Sequence, residues 1–203
     1  GGSLGGAIAW EMAFIKPNSI QNLIPVASNW KANDWLIGNV LVQDAILNNS
    51  KNPIHDARLH AMLLYRTPES LTAKFNSERN DNQNSYKVES WLLHHGEKLT
   101  GRFELSDYKL MNHLLKTIGE NTTENDLQEF AKISTTKIHQ IAINSDYFFA
   151  PNENIKTHNL LSNITKNLTY HEINSIHGHD AFLIEYERLN NILKTIFNTK
   201  HTI

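Results

Sequence analysis

Ser3 lies in Gly1-Gly2-Ser3-Leu4-Gly5-Gly6, a G-x-S-x-G pattern set directly before an apolar helical stretch. In such a turn the serine sits on strained backbone, the glycines let neighbouring backbone come close, and the hydroxyl projects at a helix N-terminus. The N–H groups there, beginning with that of Leu4, favour developing negative charge. A serine nucleophile also needs a base, and the base needs a group to orient it. Asp146 follows the apolar run Ile138-His139-Gln140-Ile141-Ala142-Ile143, and His177 and His179 follow the next run, Leu168 to Ile173. The chain order is therefore serine, aspartate, histidine. Ser3 would attack, a histidine would take its proton, and Asp146 would hold the imidazole and stabilise its charged form. Spacing alone leaves His177 and His179 both open. It also leaves open a capped glycine turn, a turn aspartate and a helix-start histidine.

The elements that would position these groups are readable from periodicity. Residues 4–15 have a helical pattern with Ala7, Trp10, Glu11 and Phe14 on one face, stopped by Lys16-Pro17. Residues 23–27, 138–143 and 168–173 read as strands, the first weakened by Pro25. Between Asp34 and Ile118 the pattern is helical, with stretches around 40–47, 57–64, 88–95 and 108–115 and a loop over 76–85. Residues 180–197 return to a helical period. Strands alternating with helices, interrupted by a helical block, predict an α/β fold with a parallel sheet. Three strands are few for such a sheet. The glycine turn at the start, with no initiator Met, has no strand ahead of it to turn from. The expectation is a C-terminal part of a longer chain, with its N-terminal strands missing.

Composition narrows the function classes. The 203 residues carry 19 Lys and Arg against 21 Asp and Glu, so the basic footprint of a nucleic-acid binder is not expected. No apolar run is long enough to span a membrane. The absence of cysteine excludes disulfides, thiolate catalysis and Cys-ligated zinc. His94-His95 is a poor metal pair, because neighbours on a helix diverge by about 100°. Trp30, Trp35 and Trp91 read as packing anchors.

Taken together, the motifs resemble the homoserine O-acetyltransferase family of the α/β-hydrolase superfamily, whose triad has this chain order. The resemblance runs from Gly1 to about Phe197. It rests on Gly-Gly-Ser-Leu-Gly-Gly, on Ala57-Arg58 with Tyr65-Arg66, and on Val88-Glu89-Ser90-Trp91-Leu92 with Gly96-Glu97-Lys98-Leu99 and Arg102-Phe103. Ser145-Asp146 and Gly178-His179-Asp180-Ala181-Phe182-Leu183 complete it. Tyr147-Phe148-Phe149-Ala150-Pro151 departs from the family's usual Leu-Phe-Pro, and Lys116 to Asn121 matches its glycine-rich stretch poorly.

The resemblance selects His179 as the base and implies an α/β-hydrolase fold from the nucleophile elbow onward. Residues 1–29 and 121–203 would form the partial core and residues 30–120 a helical lid. The implied activity is transfer of an acetyl group from acetyl-CoA through Ser3 to the hydroxyl of L-homoserine, in methionine biosynthesis. Arg58 would hold the substrate carboxylate, Tyr65 would contact substrate, Asp180 would pair with its ammonium, and Leu4 would supply an oxyanion N–H. Arg66 and Arg102 are further candidates for phosphate or carboxylate contacts. Acetyl-CoA would be a co-substrate, with no permanently bound cofactor and no metal. A cytoplasmic homodimer built through the lid helices is implied. Serine as acceptor, succinyl-CoA as donor, an esterase, or a fragment inactive without its other half remain the rivals.

Overall fold

The computed structural model describes residues 1–81 and 84–197. Its elements in chain order begin with α1 (Leu4–Ile15), β1 (Asn22–Leu23), α2 (Asp34–Asn49), α3 (Pro53–Tyr65) and α4 (Pro68–Phe75). Then come α5 (Lys87–Thr100), α6 (Leu105–Thr117), α7 (Glu124–Ile133), β2 (Lys137–Ile143), α8 (Pro151–Leu161) and β3 (Leu168–Ile173). A 3-10 turn (Gly178–Leu183) and α9 (Tyr186–Phe197) complete the described chain. The strands form an open parallel sheet in the order β1-β2-β3, with helices crossing between them.

β2 is the central strand, and every residue of it after Lys137 is buried. That is why its run is almost continuously apolar rather than alternating. It pairs with β3 from Ile138↔Leu168 to Ile143↔Ile173. β3 has only Ile173 buried, as suits an outer strand. The run expected as a strand over 23–27 pairs regularly only at Asn22 and Leu23. Beyond Pro25, which has no N–H to give, pairing survives as single bridges from Val26 to Gly2 and to Ile141.

Trp10, Ala13, Leu23, Leu127, Phe130, Ile138 and Leu161 form one core cluster, tying α1, α7 and α8 to the sheet. Trp10 is fully buried and packs on Phe14 at 5.7 Å and edge-on to Phe130 at 6.4 Å. A second cluster joins Val26, Ile141, Ile143, Ile173 and Ala181 to the inner side of α9. A third, Ala7, Leu36, Ile118, Phe148 and Phe149, fastens α1 and α2 to the segment after β2.

Six helices, α2 to α7, run consecutively between β1 and β2. Helices α4, α7 and α8 are elements that periodicity misses. They are short and polar, and terminal chemistry marks them instead. Thr67 accepts from Ser70 N ahead of Pro68, Thr123 and Asp126 form a capping box, and Pro151 opens α8. The helix expected over 180–197 is broken at Ile184–Glu185 into the 3-10 turn and α9. The expected loop over 76–85 includes residues 82 and 83, and the expected core segment includes 198–203; these lie outside the described residues. No helix among those described is long and apolar enough to cross a membrane.

Truncating a buried tryptophan removes apolar contact and leaves a cavity. Trp10→Ala should lower unfolding free energy by about 3–5 kcal/mol, read from the denaturant midpoint at unchanged m-value.

Candidate active site

The turn that carries Ser3 is built by close backbone approach. Ser3 has φ 52° and ψ −130°, a left-handed φ that costs a non-glycine residue energy. Its N–H donates to the carbonyl of Val26 at 2.9 Å, and the N–H of Val26 donates to that of Gly1 at 2.9 Å, so β1's continuation holds the turn from below. A Cβ on Gly1 would lie 2.4 Å from Gly5 O, and one on Gly6 would lie 2.7 Å from Ser28 Cβ. A Cβ on Gly5 would meet nothing within 4 Å. Crowding thus bears on Gly1 and Gly6, and on Gly2, where a Cβ would lie 2.7 Å from the Phe182 ring, while the last glycine of the five-residue pattern is free of that constraint. Leu4 opens α1, so its N–H has no acceptor within the helix.

The chain brings Ser3, His179 and Asp146 into one line. His179 Nε2 lies 2.8 Å from Ser3 Oγ and Nδ1 lies 2.7 Å from Asp146 Oδ2. Asp146 and His179 are buried, 2% and 3% exposed. The second carboxylate oxygen of Asp146 accepts from Phe148 N at 2.7 Å and Phe149 N at 2.9 Å. With Oδ2 committed to the imidazole, Asp146 is fixed as an acceptor and His179 Nδ1 carries the proton. Nε2 is then free to accept from the serine hydroxyl, which is the tautomer a general base needs. Aromatic rings surround the imidazole: Tyr65 at 5.4 Å, Phe148 at 5.1 Å, Phe149 at 5.7 Å and Phe182 at 5.6 Å.

His177, the other histidine the spacing allowed, faces away from Ser3. Its Nδ1 lies 2.9 Å from Ser70 Oγ and 3.3 Å from Arg66 Nη2. The residues that shape this region but carried no sequence signal are Phe148 and Phe149, whose N–H groups hold Asp146, and Thr67 and Ser70, on the α3–α4 corner. A backbone donor has no residue-type signature, and a threonine and a serine in a polar helix start read as ordinary caps.

Arg58 and Tyr65 lie on one face of α3, the guanidinium 5.4 Å from the Tyr65 ring centre. Both line a cavity of about 210 Å³ among α2, α3 and α6, with Gln43, Tyr108, Met111 and Phe148 in its wall. Tyr65 and Phe148 separate this cavity from His179. Among the described residues Arg58 forms no ion pair. Burial pushes the Tyr65 hydroxyl above its ordinary pKa, with Arg58 opposing. Burial likewise raises Asp180, against the pull of His179, Arg66 and Arg58. A half-buried cation with no ion-pair partner among the described residues and a half-buried carboxylate next to His179 suit a small ligand bearing both charges.

Other candidates fall elsewhere. Arg66 is turned to Ser70 and His177, and Arg102 is exposed and outside the cavity wall. His94 and His95 are 6.0 Å apart, with His95 against Trp91. No group of three or more metal-ligating side chains occurs among the described residues. Trp30 does anchor packing, through Thr157, but Trp35 is 53% exposed and so is not a core anchor.

No family model matches the chain. It is 33% identical to homoserine O-acetyltransferase from Cyclobacterium marinum, over 97% of this chain and 58% of that protein. It is 26% identical to homoserine O-succinyltransferase from a Janthinobacterium species, over 97% and 57%. Among solved structures, homoserine O-acetyltransferase from Bacillus anthracis superposes with TM-score 0.79 at 16% identity, over 96% of this chain and 58% of that one. An acetylester hydrolase from Corynebacterium glutamicum superposes with TM-score 0.78 at 14% identity, over 98% and 60%. The chain thus spans under two thirds of the length of each of these relatives.

Two outcomes follow from the geometry. Asp146→Asn would favour the wrong imidazole tautomer, and should lower the rate of Ser3 acylation by an activated ester about 10³–10⁴-fold. Asp180→Asn should stabilise the fold at neutral pH, because the folded-state pKa of Asp180 is raised and its ionised form is the disfavoured one. That gain should shrink as pH falls, and vanish below the ordinary carboxylate value of about 3.9, where both states are protonated. Denaturation midpoints of the two proteins across pH 3 to 7 measure it.

Proposed function

We propose that this chain, an α/β-hydrolase-fold homologue of the homoserine O-acyltransferases, carries the acyl-transfer centre of a homoserine O-acetyltransferase. The observation that supports this best is the unbroken line Ser3–His179–Asp146 beside a cavity lined by Arg58, which forms no ion pair among the described residues.

In the first half-reaction Ser3 Oγ attacks the thioester carbonyl of acetyl-CoA while His179 Nε2 takes the hydroxyl proton. The tetrahedral oxyanion faces the N–H of Leu4 at the start of α1. The C–S bond then breaks and His179 returns the proton to the departing thiolate. In the second half-reaction the homoserine hydroxyl attacks the acetyl-Ser3 carbonyl, His179 takes its proton, and the proton passes to Ser3 Oγ as that oxygen leaves. Arg58 binds the acceptor's carboxylate, for which a guanidinium fork is suited. Asp180 meets its ammonium, and Tyr65 contacts the acceptor from the cavity wall.

The aromatic collar around His179 limits water, the competing nucleophile. A succinyl donor, a serine acceptor or an esterase activity would use the same triad, and the relatives named above include a succinyltransferase and an ester hydrolase. The reading includes a cytoplasmic enzyme without a resident cofactor, paired as a homodimer through the α2–α6 helices, where Leu41 is 70% and Leu63 51% exposed.

Assays with acetyl- or succinyl-CoA against homoserine, serine and water identify the preferred pair; homoserine with acetyl-CoA is expected. Losing a charge-assisted hydrogen bond of about 1.5–3 kcal/mol, Arg58→Ala should raise the KM for homoserine roughly 10- to 150-fold. An unchanged KM would remove the acceptor assignment.

A further inference from the structure

The loop that bears His179 is gripped from two sides. From the sheet side, Ser145 Oγ donates to Ser175 O and accepts from Gly178 N at 3.1 Å, and Ser175 N donates to Asn144 Oδ1 at 2.8 Å. From the other side, Tyr65, Arg66, Thr67 and Ser70 at the α3–α4 corner meet the four consecutive loop residues 176–179. Thr67 Oγ1 donates to Ile176 O. Arg66 and Ser70 engage His177 Nδ1. The Tyr65 carbonyl lies where a Cβ on Gly178 would be 2.9 Å away, and the Tyr65 ring lies on His179 itself. Gly178 has φ +66°, so this tight approach and this backbone both require glycine.

The direction of the hydrogen bonds at His177 is fixed by the donors available. Arg66 can only donate, and both its Nε (3.1 Å) and Nη2 (2.5 Å) point to Ser70 Oγ. The Ser70 hydroxyl hydrogen is then free for His177 Nδ1, which Arg66 Nη2 also approaches. Two donors converge on that nitrogen, so it accepts, and the His177 proton resides on Nε2. Arg66 is 9% exposed, forms no ion pair among the described residues, and lies 5.9 Å from the Trp91 ring.

We propose that His177 is a positioning residue, through which the α3–α4 corner sets the placement of His179 for proton transfer with Ser3. The corner and the cavity share a helix: α3 carries Arg58 and Tyr65 in the cavity wall and ends at the corner. The element that meets the substrate is therefore the element that places the base. This inference rests on Ser3, His179 and Asp146 acting as a triad, and not on which acyl donor or acceptor is used.

The test compares His177→Leu and Ser70→Ala, which remove the contact, with His177→Asn, whose amide oxygen can stand in for Nδ1. Acylation by p-nitrophenyl acetate reads the triad without the biological acceptor. For His177→Leu and Ser70→Ala the acylation kcat should fall at least tenfold, with KM within threefold and a displaced pH–rate profile; His177→Asn should recover most of the rate. A second readout needs no activity. In ¹⁵N-histidine spectra of the unmodified protein, His177 should be the Nε2–H tautomer, and the downfield His179 Nδ1 proton should exchange faster with solvent in His177→Leu. An Nδ1–H or charged His177, or a folded His177→Leu with unaltered exchange, overturns the proposal. No acylation in the unmodified protein, with the spectra as expected, would count against the acyltransfer reading and leave the positioning role supported.

Discussion

The contact between His179 Nε2 and Ser3 Oγ joins two residues 176 positions apart, and most of the fold is arranged around keeping it at 2.8 Å. Neither partner sits on a regular element. Ser3 lies on a strained turn held by Val26 and the close packing of Gly1 and Gly6. His179 lies in a 3-10 turn after the outer strand. The central strand supplies the third group, because its end delivers Asp146 where the following backbone bends back to donate twice to it. A parallel sheet suits this purpose. All its strands point their C-terminal ends to one edge, so loops distant in sequence collect there.

Two kinds of force keep the site in place, and they act at different ranges. Packing of Trp10, Leu23, Phe130 and Ile138 fixes the sheet to its helices without specifying any hydrogen bond. Directional contacts then adjust the loops: Ser145 from the sheet, and Thr67, Ser70 and Arg66 from the helices. The first kind tolerates substitution of similar volume. The second does not, because each donor has one acceptor that answers it.

What the sequence made legible divides along the same line. Helix α1 was readable to its boundaries, since its apolar positions recur with helical period between a glycine turn and Lys16-Pro17. Strand β2 was readable because both faces are covered. That Ser3, Asp146 and His179 would come together was readable because serine, aspartate and histidine in that order follow a glycine turn and the ends of two strands. The choice of His179 over His177 was not readable from spacing. Two residues apart on an irregular loop, either could face the serine, and only Ser70 and Arg66 across the fold decide it. The helices α4, α7 and α8 escaped because short polar helices depend on caps and tertiary contact more than on periodicity. The break at Ile184 escaped because the 3-10 turn is imposed by where His179 must point.

The backbone at Ser3 limits which side chains could take its place. A φ of 52° is tolerable for a side chain with one substituent on Cβ, and severe for a β-branched one. Threonine offers the same hydroxyl, yet its extra methyl makes that φ a far costlier conformation. Cysteine keeps the single substituent and adds only a larger, more acidic atom. The exchange between oxygen and sulfur chemistry is therefore open at this position, whereas the smaller-looking exchange between two alcohols is closed by torsion alone.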